Sequence, residues 1–140
     1  MQNNRRSYNL PVKKDNPSRE AVLIDLKELQ NRWVVGTPPA VREASPFYSK
    51  WIQISYTNIN DPILRNEEFH AHRSSEEYYL VTKGALKVRV GKRNFMVNSM
   101  QLLRVPKRVP HKIASHVLPL TFFTIRVPSA LPNEKKVVKE

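Results

Sequence analysis

His70-Ala71-His72-Arg73-Ser74-Ser75-Glu76-Glu77, with Gly84 beyond it, is the stretch whose reading decides the fold. A second run, Pro106-Lys107-Arg108-Val109-Pro110-His111, lies farther along. The chain has 4 histidines, and three of them fall in these two runs. In a strand, alternate side chains share a face, so His70 and His72 point one way and Ala71 the other. An unbroken strand would put Glu77 on the opposite face. A turn over Arg73-Ser74-Ser75-Glu76 removes that conflict, and its polar composition suits one. Glu77 then returns on the next strand beside the histidines, with Glu76 as the alternative carboxylate. His111 follows a Pro-flanked turn that delivers it at a strand start. Neutral imidazole and carboxylate are ligands for divalent transition metals. Three imidazoles and one carboxylate leave part of an octahedral shell open, and open positions are where a metal does chemistry.

The two runs resemble the paired motifs of the cupin family. The first motif places a glycine, His-x-His, a glutamate and a closing glycine, matched here by His70, His72, Glu77 and Gly84, with Leu64 in place of the opening glycine. The spacing to Gly84 favours Glu77 over Glu76. In the second motif Pro106 and His111 match, while Met100, Arg108 and Ser115 replace two glycines and an asparagine. The resemblance implies a metal site of His70, His72, Glu77 and His111. Its cofactor would be one divalent transition metal ion: Fe, Mn, Ni, Zn, Co or Cu. It also implies an all-β, double-stranded β-helix (jelly-roll) barrel with a short N-terminal extension. The expected division is 1–45 as an extension packing on the barrel or a partner, 46–128 as the barrel and 129–140 as a charged tail. Many cupins are dimers, so a homodimer is expected, with Trp33, Val34, Val35 or Trp51 as interface or core residues.

At 140 residues the chain is long enough for one domain with a real core. It has no cysteine, which excludes disulfides, thiolate metal sites and cysteine nucleophiles. No apolar run approaches the roughly 20 residues that span a bilayer. The polar stretch Met1 to Lys14 lacks the apolar segment of a secretory signal, and the cytoplasm is the default expectation. The net charge is +12, and no acidic residue stands between Glu77 and Glu134. A one-signed field attracts anions, whether a small substrate, nucleic acid or an acidic surface. Nucleic-acid association is an alternative, but the basic residues are not interleaved with aromatics and no such motif is visible.

Residues 1–20 read as irregular. Ala21 to Asn31 suits either a strand or a short helix. From Trp51 onward the strands are clear: Ile52, Ile54 and Tyr56 alternate with Gln53, Ser55 and Thr57. Lys83-Gly84 reads as a tight turn. Leu86, Val88 and Val90 alternate with Lys87 and Arg89, which face outward. Phe95–Val97, Gln101–Val105, Lys112–Ser115 and Thr121–Val127 complete the set, and the end of the chain reads as frayed. Tyr79 shares the face of Glu77 and is a candidate catalytic phenol or a core filler. Arg104 and Lys107 are candidate anchors for a substrate carboxylate or phosphate, while His116 falls outside the motif. The expected function is a metal-dependent enzyme of dioxygenase, isomerase or lyase type on a small oxygenated, anionic compound. The alternative is a non-catalytic cupin that binds a sugar or metabolite.

Overall fold

The structure is a computed structural model describing residues 20–29, 32–60, 67–129 and 134–140. The stretch 1–19 and Leu64 lie outside the described residues. Eight strands run in chain order: β1 Trp33–Val35, β2 Gln53–Ile59, β3 His70–His72, β4 Glu76–Val90, β5 Arg93–Asn98, β6 Gln101–Val105, β7 His111–Val127 and β8 Lys135–Val137. All their pairings are antiparallel within one sheet that runs β1-β2-β7-β3-β8, with β4 joining β5, β6 and β7. This is an all-β, strongly curled half-barrel. No helix among the described residues is long and apolar enough to cross a membrane.

The two long strands organise the sheet. One edge of β4 follows β7 along nearly its whole length, and the other takes β6 and then β5 end to end. Alternation decides what goes inside. Tyr79, Val81, Leu86, Val88, Val97, Val105, Leu120 and Phe122 form the buried core, with Leu103, Val109 and Ile113 packed against it.

The Lys83-Gly84 turn is not there. Gly84 lies within β4 at φ +76, where the register to β7 shifts on both sides of Lys83. A Cβ on Gly84 would lie 2.5 Å from the Pro119 carbonyl oxygen and closer still to that of Val117. The glycine is thus required by a bulge and the close passage of β7 rather than by a reversal. Opposite this irregularity sits Pro119, where a missing ladder donor is tolerated. That is why Lys112–Ser115 and Thr121–Val127 belong to a single strand.

Other expectations change as well. Ala21 to Asn31 forms neither strand nor α-helix over its described residues, only a 3-10 turn at Leu26–Glu28 capped by the Asp25 carboxylate on the Lys27 N–H (2.9 Å). β2 alternates as expected, but its buried positions are the polar Gln53 and Ser55. Ile54 and Tyr56 lie on the other face, in register with Ile125 and Phe123, and the Tyr56 and Phe123 rings are 5.2 Å apart. The strand pairings also cross both boundaries of the expected division. β1 pairs with β2, and the expected tail contributes β8, which pairs with β3. Strands of three residues are too short to show a period, so the sequence pattern misses them.

Gly84→Ala should cost on the order of 3 kcal/mol, because a Cβ there meets backbone at a φ that L residues avoid. Urea unfolding of the two proteins would measure it. A difference within about 0.5 kcal/mol would mean that β4 and β7 do not approach this closely.

Candidate metal centre

His70 and His72 come from β3, Glu77 from the start of β4 and His111 from the start of β7. His70 and His111 are register partners across β3 and β7. In place of the expected turn over 73–76, residues 73–75 bend the chain and Glu76 already belongs to β4, with the Ser75 hydroxyl donating to the Pro128 carbonyl (2.8 Å). Glu76 points out and pairs with Arg104, which leaves Glu77 as the inward carboxylate. One ligating atom from each of His70, His72, Glu77 and His111 lies within 4.8 Å of the others. All four side chains are buried, none more than 2 % exposed.

Each of the three clustered rings has its Nδ1 committed. His70 Nδ1 donates to the Glu68 carbonyl (2.7 Å), His111 Nδ1 to the Val109 carbonyl (2.9 Å) and His72 Nδ1 to the Glu134 carboxylate (3.1 Å). Those bonds put the proton on Nδ1 and leave a lone pair on each Nε2. None of the three buried Nε2 atoms has a hydrogen-bond partner among the described residues. Glu77 Oε2 lies 2.7 Å from His72 Nε2. Buried polar atoms are normally satisfied. Three orphaned lone pairs beside a carboxylate are what a cation's ligands look like. Bonds of about 2.0–2.2 Å place neighbouring ligand atoms about 3 Å apart. Trans ligands stand about 4.2 Å apart on such bonds, so a group spread over up to 4.8 Å fits a divalent transition metal by donor chemistry and needs a small contraction to hold it.

With no cation at the site, Glu77 and a proton compete for the same ring nitrogens. Burial opposes ionisation of Glu77, but the His111 and His72 imidazoles and the Arg126 guanidinium hold its carboxyl well below the usual range. Arg126 Nε donates to Glu77 Oε2 at 2.8 Å. Burial pushes the His70 imidazole down to about 4. Burial also pushes on His111, yet Glu77 outweighs it and raises that ring. Burial raises Glu67, whose Oε2 accepts the Ile113 N–H (2.8 Å) and whose Oε1 lies 3.6 Å from His70 Nε2. Burial, then the charges of Glu77 and Glu67, lift the Tyr79 phenol well above its ordinary value.

The sequence candidates separate cleanly. His70, His72, Glu77 and His111 come together, and Tyr79 joins them, its ring 6.4 Å from that of His111 and its buried hydroxyl without a partner among the described residues. Arg104 does not. It is in register with Tyr78, on the face opposite Glu77 and Tyr79, and its exposed guanidinium is paired with Glu76. Lys107 is exposed in the turn before His111. Three charged neighbours of the cluster escaped the reading: Arg126, Glu134 and Glu67. Arg126 was legible in principle, since it keeps phase with the inward Leu120 and Phe122. Glu134 carries no local signal, as it meets His72 across 62 residues.

Met100 and Arg108 stand where the family motif has glycine, and both take the left-handed conformation, at φ 64 and φ 67. The turns keep their shape and carry the strain of a side chain. The Arg108 N–H donates to the His72 carbonyl (2.6 Å), tying this turn to the ligand strand.

No family model and no curated protein matches the chain. Solved structures do. A protein from Planctomyces limnophilus superposes with a TM-score of 0.56 at 18% identity, over 84% of this chain and 96% of that one. A variant of Streptomyces PAC13, solved with uridine, gives 0.53 at 11% identity, over 65% and 71%. TT1209 from Thermus thermophilus gives 0.50 at 17% identity, over 76% and 96%. The likeness establishes a cupin-type fold.

If the four residues hold a metal, Arg108→Gly should retain it, and it should gain about 1 kcal/mol from relief of the left-handed strain. Metal content and thermal unfolding check this, and loss of metal would make the Arg108 side chain a support of the ligand loop. In metal-free protein, the His70 imidazole should stay neutral until about pH 4. The unfolded ring protonates near 6.5, so its share of stability is present above 6.5 and is lost as pH falls toward about 4. His111, being raised, contributes with the opposite sign and loses its share as pH rises above 6.5. Ring NMR titration separates the two, and a His70 transition near 6.5 would mean a solvated ring.

Proposed function

We propose that this chain is a metal-dependent enzyme of cupin type acting on a small oxygenated compound, with His70, His72, Glu77 and His111 holding one divalent transition metal ion. The observation that carries the reading is the convergence of three buried, unpartnered Nε2 atoms on Glu77. Bound there, such an ion supplies Lewis-acid polarisation of a substrate oxygen.

The chain's own residues set the rest of the chemistry. Arg126 keeps the Glu77 carboxylate ionised and oriented. Tyr79 holds its proton, and its buried Oη is free to donate to a substrate oxygen or to move that proton. Tyr79, Thr124, Ser55 and Trp33 are successive register partners across β4, β7, β2 and β1, so they share one face. That face offers three hydroxyls and an indole, with the Arg126 guanidinium 5.4 Å from the indole ring. Its character is oxygen-binding. The cation on it is Arg126, not Arg104 or Lys107, so oxygen donors define this substrate better than negative charge does. Uridine, with which PAC13 was solved, is a hydroxylated small molecule of the size proposed.

A second reading has one observation in its favour. The four side chains are sealed from solvent, and a metal that no substrate can reach serves the fold alone. A structural ion would raise the unfolding temperature without any turnover.

Elemental analysis of protein purified without chelator, beside His72→Ala, tests the metal. Near-stoichiometric Fe, Mn, Ni, Co, Cu or Zn, lost in the variant, is expected. No metal in either sample after reconstitution would sink the proposal. Tyr79→Phe tests catalysis: it should keep the metal and slow turnover by about 10²–10⁴-fold against a panel of hydroxy acids, keto acids, sugars and nucleosides. Unchanged turnover would reduce Tyr79 to core filling.

A further inference from the structure

Residues 134–140 close on the strand that carries two of the ligands. β8 runs beside β3 with His70 opposite Val137, Ala71 opposite Lys136 and His72 opposite Lys135. Val138 N–H donates to the Phe69 carbonyl (2.8 Å) and Arg73 N–H to the Glu134 carbonyl (3.1 Å). Glu134 itself is buried, 5% exposed. Its two carboxylate oxygens do different work. Oε1 accepts from the Ser74 and Ser75 N–H groups (2.5 and 2.7 Å), which fixes the bend between β3 and β4. Oε2 accepts from His72 Nδ1 (3.1 Å). An edge strand that served only to cover β3 would need no buried carboxylate on a ligand's ring.

We propose that Glu134 is a positioning residue. It locks His72 in the tautomer with Nδ1 protonated and Nε2 bare and aimed at the ligand group, and docking of β8 thereby sets the affinity of the site for its cation. The second half rests on the metal reading of the site; the first half does not. Chemistry makes the device sensitive to a single atom. A carboxylate can accept on both sides at once. An amide accepts on one side and donates on the other. In Glu134→Gln the carbonyl must serve the two serine N–H donors, so the NH2 group turns to His72. It then drives the ring proton from Nδ1 to Nε2, the ligand atom.

The test is imidazole nitrogen NMR on metal-free protein, joined to Co2+ affinity by chelator competition. Wild type should show His72 with Nδ1 protonated. Glu134→Gln should move the proton to Nε2 and weaken Co2+ binding by about 10- to 100-fold. Val137→Ala loosens the same strand at an exposed position in register with His70, and it should leave the His72 tautomer alone. Retention of the Nδ1–H tautomer in Glu134→Gln would overturn the proposal. So would an Nε2–H tautomer in the wild type, a result that needs no variant to fold. A switched tautomer with unchanged Co2+ affinity would overturn the second half. If wild type took up no Co2+, the metal reading would fail, and the tautomer comparison would still decide the role of Glu134.

Discussion

A carboxylate at 2% exposure is the constraint around which this barrel is built. An ionised group removed from water costs several kcal/mol unless it is paired and hydrogen-bonded. Glu77 meets that demand with Arg126 in the next strand, and the His72 and His111 rings lie on either side of it. Each imidazole is then constrained in turn. If its ligand-facing nitrogen is to stay bare, its other nitrogen needs an acceptor, and the acceptors are Glu68, Val109 and Glu134, from three separate parts of the chain. One buried charge thus recruits β3, β4, β7 and the segment before β8.

The same constraint explains why β2 shows its polar side to the interior. Gln53 and Ser55 are in register with Arg126 and Thr124, which are themselves in register with Glu77 and Tyr79. A row that carries a guanidinium and a carboxylate is served by amides and hydroxyls, not by isoleucine. Farther along the same strands the rows change to Phe122 and Val81, then Leu120, and the interior becomes an ordinary apolar core. The half-barrel is therefore wet-lined at one end and greasy at the other, and the change occurs within two residues of Tyr79.

The buried cluster of His70, His72, Glu77 and His111 was legible because His-x-His, Glu and His are rare residues at informative spacings. The all-β class was legible because β-branched and aromatic residues alternate from Trp51 onward. Errors arose where tertiary context decides. Gly84 looked like a turn because left-handed backbone serves turns and bulges alike, and only the carbonyls of Val117 and Pro119 tell them apart. Arg104 looked like an anchor because it is close in sequence to His111. Strand parity places it on the face opposite Glu77, since Val105 and not Arg104 is in register with that residue. Glu134 was invisible: it sits among charged residues of ordinary composition, and its role exists only through long-range pairing.

That pairing bears on the order in which the chain must fold. His72 and Glu134 are separated by 62 residues, and the intervening β4–β5 hairpin and β4–β6 pairing are far more local. Loop-closure entropy is met first by the local ladders, and non-local contacts follow. Until β7 and β8 arrive, β3 is a three-residue ribbon with both edges open, too short to hold its own register and exposed to any competing strand. The ligands on it gain fixed positions only at closure, so the last ladder to form is also the one that gives the site its shape.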